Sequence, residues 1–171
     1  IQSDFLIDSW SYSRVTAFSR NEKAFEMSAI YGQKGRTSST TVAGSAYHAA
    51  LDLYFKSLQE GKELDLVDLE KAAYEYIDNQ GADVWKIQKT PPTIEDCIAT
   101  ASKTATVLLK NFLAEKSLYL DEIAEILHVE MYFDEYLNIN GVDIPLPCHA
   151  KVDLCFRSKS SKVVILDHKS K

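Results

Sequence analysis

Apolar residues in the first two thirds of the chain recur at helical spacing, and those beyond Leu120 change to an extended pattern. Val15, Phe18, Phe25 and Ala29 follow a repeat of about 3.6 residues, and Gly32 stands after them as a stop. A second helix is predicted from about Thr41 to Glu60, ending at Gly61. Val42, Ala46, Ala49, Ala50, Leu53 and Leu58 are among its apolar positions, and Ser38, Ser39 and Thr40 offer N-caps. A third helix fits Val67 to Ile77, with Asp65 or Asp68 near its start and Gly81 beyond its end. Two prolines make Lys89 to Pro92 a loop. Thr93 then caps a long helix through Ile98, Ala101, Ala105, Leu108, Leu109, Phe112 and Leu113, and Thr93 and Asp96 have the spacing of a capping box.

From Ile126 to Ile139 the chain is rich in β-branched and aromatic residues, and Asn140-Gly141 is a strong hairpin signal. Val142 to Phe156 is a second extended segment, bent or edged by Pro145 and Pro147. Arg157 to Lys162 is a polar turn. Val163 to Leu166 is a continuous apolar run, which predicts a strand buried on both faces. The fold class expected is α/β, in the α+β sense, as a single domain over residues 1–171. Residues 1–120 are mainly helical in this expectation, and residues 121–171 form a central three-stranded antiparallel meander flanked by helices. No internal repeat or low-complexity tract interrupts this plan.

Composition narrows the function classes. A chain of 171 residues suits one globular domain, and 46% hydrophobic with 26% charged residues can bury a core. No apolar run approaches the roughly 20 residues that span a bilayer, so no membrane association is expected. Ile1 to Trp10 carries Asp4 and Asp8 and no basic stretch, unlike a signal peptide. Cys97, Cys148 and Cys155 are odd in number and form no C-x-x-C pair, which fits a reducing, cytoplasmic setting. The net charge of −6 argues against a surface that neutralises DNA as a whole. It does not exclude local contact, and metal sites require carboxylates.

The candidate chemistry lies in the last two strands. Asp167 and Lys169 are two apart and so share a face of an extended strand, while Asp153 stands late in the strand before. The hairpin between Leu154 and Leu166 could bring the three together. Two carboxylates there would suit a hard divalent cation, and a lysine beside them could orient or deprotonate a water attacking a phosphodiester. On spacing alone, solvated groups where the strand leaves the core explain Asp167 and Lys169 equally well. Two short basic stretches, Lys34 to Arg36 and Arg157 to Lys162, are either phosphate contacts or solvated turns. Tyr47, Tyr54, Phe55, Tyr74 and Tyr76 read as helix core rather than as stacking platforms for bases.

The segments Leu146 to Asp153 and Val163 to Ser170 resemble the nuclease core of the PD-(D/E)XK superfamily, in particular its RecB-like exonuclease branch. That branch shows a G-x-(I/V)-D strand, a variable hairpin and an apolar strand ending in D-x-K-(T/S). Ala150 stands here where the family usually has Gly. Gly44-Ser45-Ala46-Tyr47-His48 matches the family's helical G-x-x-x-H motif. Trp10 to Phe18 resembles its S-x-S-x-φ-x-x-F opening. Where many relatives continue with Cys-Pro, this chain reads Ser19-Arg20-Asn21. Three cysteines cannot supply a four-cysteine iron–sulfur cluster, so none is expected.

The resemblance implies a restriction-endonuclease-like core and a Mg²⁺- or Mn²⁺-dependent DNA exonuclease of recombination, repair or phage replication. By the same resemblance Asp153, Asp167 and His48, with the backbone carbonyl of His168, would hold the metal, and Lys169 would serve the nucleophilic water. Glu130 would be a supplementary ligand or a group bonded to one. DNA is the implied partner; an oligomer or a recombination-protein partner is left open. The family usually continues into a helix bearing Gln and Tyr, and this chain ends at Lys171 before one, so a C-terminally incomplete domain is expected. The competing expectation is a DNA-binding or scaffold module on the same fold that has lost catalysis.

Overall fold

The computed structural model describes residues 7–33 and 35–169, with the side chain of Tyr119 excepted. Lys34 of the first basic stretch, Ser170 of the D-x-K-S run and Lys171 lie outside the described residues. The chain forms two compact units, one of Ile1–Gly35 and Met131–Lys151, the other of Arg36–Glu130 and Val152–Lys171.

In the first unit, helix α1 (Tyr12–Arg20) starts at Ser11, whose side chain accepts the Arg14 N–H. The helix predicted through Val15 and Ala29 is broken at Asn21. Asn21 adopts φ −162°, ending α1, and its side chain accepts the Ala24 N–H to start α2 (Glu22–Phe25). A short amide that bonds its own backbone competes with helix continuation, which is why the apolar repeat alone misjudged this boundary. A π-helical turn, Glu26–Ile30, follows. Trp10 stacks on buried Phe25 at 6.2 Å, and Phe18 meets the same ring edge-on at 5.6 Å.

The first unit also holds strands β2 (Asn138–Ile139) and β3 (Val142–Asp143), joined at Asn140-Gly141. Both turn residues take the left-handed region, φ +53° and +83°, as a two-residue hairpin requires. The Trp10 N–H donates to the Pro147 carbonyl at 2.8 Å, and the His149 N–H donates to the Trp10 carbonyl at 2.5 Å.

The second unit carries α3 (Ser39–Gln59), α4 (Leu66–Asp78), α5 (Ile94–Glu115) and α6 (Ser117–Leu120). Each of the long helices has the cap its sequence offers. Ser38 accepts the Thr41 N–H, Asp65 and Asp68 form a reciprocal capping box, and Thr93 accepts the Asp96 N–H. The apolar stripes of these helices meet in one core, with Tyr54, Phe55, Leu69, Ile77, Trp85, Cys97 and Leu109 each nearly inaccessible to water.

Strands β1 (Ile123–Glu135), β4 (Cys148–Ser158) and β5 (Val163–Leu166) form a three-stranded antiparallel sheet in the order β1-β4-β5. The β4–β5 register pairs Leu154 with Leu166 and Phe156 with Val164, and this face joins the helical core. The expectation that β5 is buried on both faces is corrected here. Val163 is 59% and Ile165 63% exposed, because β5 is the edge of the described sheet and the helices cover one side of it. Among the described residues no helix is long and apolar enough to cross a membrane.

Candidate active site

Three sequence-distant elements of the second unit converge where β5 ends. α3 buries Val42, Ala43, Gly44, Ala46, Tyr47, Ala50 and Leu51, which fixes its rotation and sets His48 beside that buried face. β4 presents Asp153, half-buried, next to Leu154 in the core. Continuing the β4–β5 register beyond Leu154 and Leu166 sets Asp153 across from Asp167, on one face of the sheet.

Asp153 is the hub. Its Oδ2 accepts the backbone N–H of His168 at 2.8 Å and lies 3.5 Å from His48 Nδ1. The bond to His168 ties the end of β5 to β4 at the point where the chain leaves the sheet. His168 itself is buried, stacked on Phe55 at 5.5 Å and met edge-on by Phe112 at 6.3 Å. That anchoring leaves the residues on either side, Asp167 and Lys169, facing solvent, where they pair at 2.5 Å. Burial pushes the His168 imidazole below the usual histidine range, so it is neutral near neutral pH.

The hydrogen bond from Lys169 holds the Asp167 carboxyl below its ordinary range, and the same bond raises Lys169. Asp153, through a side-chain hydrogen bond, and His48, through its charge, lower Asp167 further, so the three groups act on one another at short range. A cleft of about 470 Å³ opens on this side, lined by Tyr47, Leu108, Asn111, Phe112, Glu115, Leu166, Asp167, His168 and Lys169. Burial pushes the Tyr47 hydroxyl up to about 12, with the charges of Asp153 and Glu115 adding to it.

The PD-(D/E)XK nuclease superfamily model matches residues 9–171. The chain belongs to the PD-(D/E)XK nuclease superfamily. No curated protein and no solved structure matches it. The mixed architecture, with helices packed on a three-stranded antiparallel sheet, is that of the superfamily's restriction-endonuclease-like fold. Superfamily members are nucleases that use divalent metals.

Of the residues that the sequence assigns to a PD-(D/E)XK site, the structure gathers His48, Asp153, Asp167, His168 and Lys169. It does so without a preassembled cage: among the described residues no group of three His, Cys, Asp or Glu side chains stands in position to hold a metal ion. Asp153 Oδ2 accepts the His168 N–H, and Asp167 pairs with Lys169. The donor set still fits a hard cation in kind, with two carboxylates and an imidazole in one field.

Glu130 lies on β1, the strand beside β4, half-buried and with φ +53°. A non-glycine residue in that region interrupts a regular strand and re-aims its side chain. The serine-rich opening lies in the first unit, where Ser11 caps α1 and Arg14 reaches Asp8 and Ser9.

Asn111, Glu115 and Tyr47 were not legible as cleft residues. Leu108, Asn111, Phe112 and Glu115 are spaced by three, four and seven along α5, so a helical wheel puts two polar groups on a face with two apolar ones. That pattern was available in the sequence, but only the cleft gives it meaning.

Proposed function

We propose that this chain is a Mg²⁺- or Mn²⁺-dependent deoxyribonuclease of the RecB-like exonuclease branch, hydrolysing phosphodiester bonds of linear DNA without an iron–sulfur cluster. The observation that carries the reading is the position of Asp153, bonded to the His168 amide and within reach of His48 while Asp167 stands in the same field. In this reading residues 1–171 act as one nuclease domain, in recombination, repair or phage replication.

Asp153, Asp167 and His48, with the His168 carbonyl, would hold the metal, and Glu130 would support that set. A divalent cation there supplies charge neutralisation at the phosphate and a water of lowered pKa. A cation held there would compete with Lys169 for Asp167 and would leave the ammonium available to the reacting groups. A lysine ammonium at its ordinary value of about 10.4 is already protonated at neutral pH, with or without the bond to Asp167 that raises it here, and of its two candidate roles Lys169 therefore orients the attacking water rather than deprotonating it. Hydrolysis joins the water oxygen to phosphorus, breaks one P–O bond and leaves a proton on the departing oxygen. Asp153 has a further part, because its hydrogen bond fixes the segment that carries both Asp167 and Lys169.

The net charge of −6 is compatible with this reading if DNA is held at the cleft rather than across the whole surface. A module on the same fold without catalysis is the second reading, and its support is the engagement of Asp153 and Asp167 by protein partners. Calorimetric titration with Mn²⁺ separates the two. The nuclease reading expects saturable binding in the wild type that is lost in Asp153→Asn, and absence of binding in the wild type would reject it.

A further inference from the structure

Tyr47 sits one residue before His48 on α3 and is 8% exposed, with the ring packed edge-on to His48 at 5.8 Å. A phenylalanine would fill that space equally well. Tyr47 lines the cleft that also contains Asp167, Lys169 and Asn111. No described protein group forms a hydrogen bond with the Tyr47 hydroxyl. A buried ring whose hydroxyl has no described protein partner is a donor available to whatever occupies the cleft.

The charges around the cleft say what it would meet. Glu115 and Asp167 border it and repel a bare carboxylate or phosphate, so an anion entering must be neutralised by the Lys169 ammonium and by a cation at the carboxylates. Tyr47 adds a neutral donor on the wall formed by α3. Asn111, exposed on α5, is a second neutral donor on the same cleft. Neutral donors of this kind fix the direction of a phosphate without adding charge, which is the work of positioning contacts to a nucleic-acid backbone.

We propose that the Tyr47 hydroxyl donates a hydrogen bond to a non-bridging phosphate oxygen of the bound DNA, making Tyr47 a substrate-positioning residue of this site. The inference rests on the nuclease reading for the identity of the substrate, and on the cleft geometry for the contact itself.

Tyr47→Phe keeps the ring and removes only the donor. The test compares full-length wild type and Tyr47→Phe for affinity towards a fluorescent single-stranded oligonucleotide in Ca²⁺, for cleavage of the same oligonucleotide in Mn²⁺, and for Mn²⁺ affinity by calorimetry. Loss of one neutral hydrogen bond should weaken binding or lower kcat/KM about three- to tenfold, with Mn²⁺ affinity and melting temperature unchanged. If the wild type binds DNA without cleaving it, and Tyr47→Phe binds more weakly, the nuclease reading fails and the Tyr47 contact stands. Equal binding and equal cleavage by the two proteins overturns the contact, as does a wild type that binds no DNA. A loss of Mn²⁺ affinity in Tyr47→Phe equal to the loss of kcat/KM would also overturn it, by placing the effect at the metal.

Discussion

The backbone N–H of His168 donates to Asp153 Oδ2 at 2.8 Å, so a single carboxylate both faces the candidate metal site and holds the segment bearing Asp167 and Lys169 in place. Asp153 therefore has two separable duties. Asp153→Ala should abolish metal-dependent cleavage, by at least about a hundredfold, and should also lower stability by about 1–3 kcal/mol, because a partly buried amide loses its acceptor. Asp153→Asn retains an acceptor oxygen for His168 and should be nearly as inactive but clearly more stable than the alanine variant. Urea denaturation alongside a cleavage assay checks both. Equal destabilisation by the two substitutions would show that the bond to His168 matters little.

Lys169 is 67% and Asp167 60% exposed at the side chain, so their ion pair contributes little to folding. Lys169→Met should change stability by no more than about 1 kcal/mol and lower the cleavage rate by about a hundred- to ten-thousandfold, the range for a proton-handling or water-orienting side chain. Lys169→Arg should not restore the rate, since a planar guanidinium cannot occupy the place of a compact ammonium.

The same pair makes a statement about pH. Asp167 is lowered by the hydrogen bond to Lys169, and Lys169 is raised by that same bond. Both stay charged across the neutral range: the carboxylate protonates only at pH below its reduced value, and the ammonium deprotonates only above its raised one. A profile of cleavage rate against pH between about 6 and 9 should therefore show no limb that disappears in Lys169→Met. A limb that vanishes with that substitution would make Lys169 a base instead.

His168 acts through packing. Its imidazole stacks on Phe55 at 5.5 Å and meets Phe112 edge-on at 6.3 Å. His168→Ala should cost roughly 2–4 kcal/mol, as large-to-small core substitutions do, and should lower cleavage by loosening the flanking Asp167 and Lys169. His168→Phe preserves a planar ring and should lose less than about 1.5 kcal/mol. Thermal melting in the presence of a chelator measures this without interference from metal.

Much of the second unit was legible because its signals are local. Ser38, Asp65 and Thr93 are caps in sequence and caps in structure, and Asn140-Gly141 in the first unit forms the hairpin its dipeptide specifies. Strand parity spoke only for Asp167 and Lys169; Asp153 comes opposite Asp167 through the register of the Leu154–Leu166 hairpin. Two features resisted. Asn21 broke the first helix through a side-chain bond that no apolar repeat records, and β5 lay at an edge although its composition is that of a central strand. Both depend on what is, or is not, packed alongside. Tyr47 was hidden for a related reason: a buried ring reads as core, and only the cleft shows that the residue borders it.

The central claim is that the Asp153–Asp167 site performs metal-dependent phosphodiester hydrolysis. Its most direct test is the time course of degradation of linear DNA by purified protein in Mn²⁺, with Asp167→Ala prepared in parallel. The account predicts degradation by the wild type that stops on addition of chelator and is absent from Asp167→Ala. Intact DNA in the wild-type reaction, or equal degradation by the variant, would contradict it.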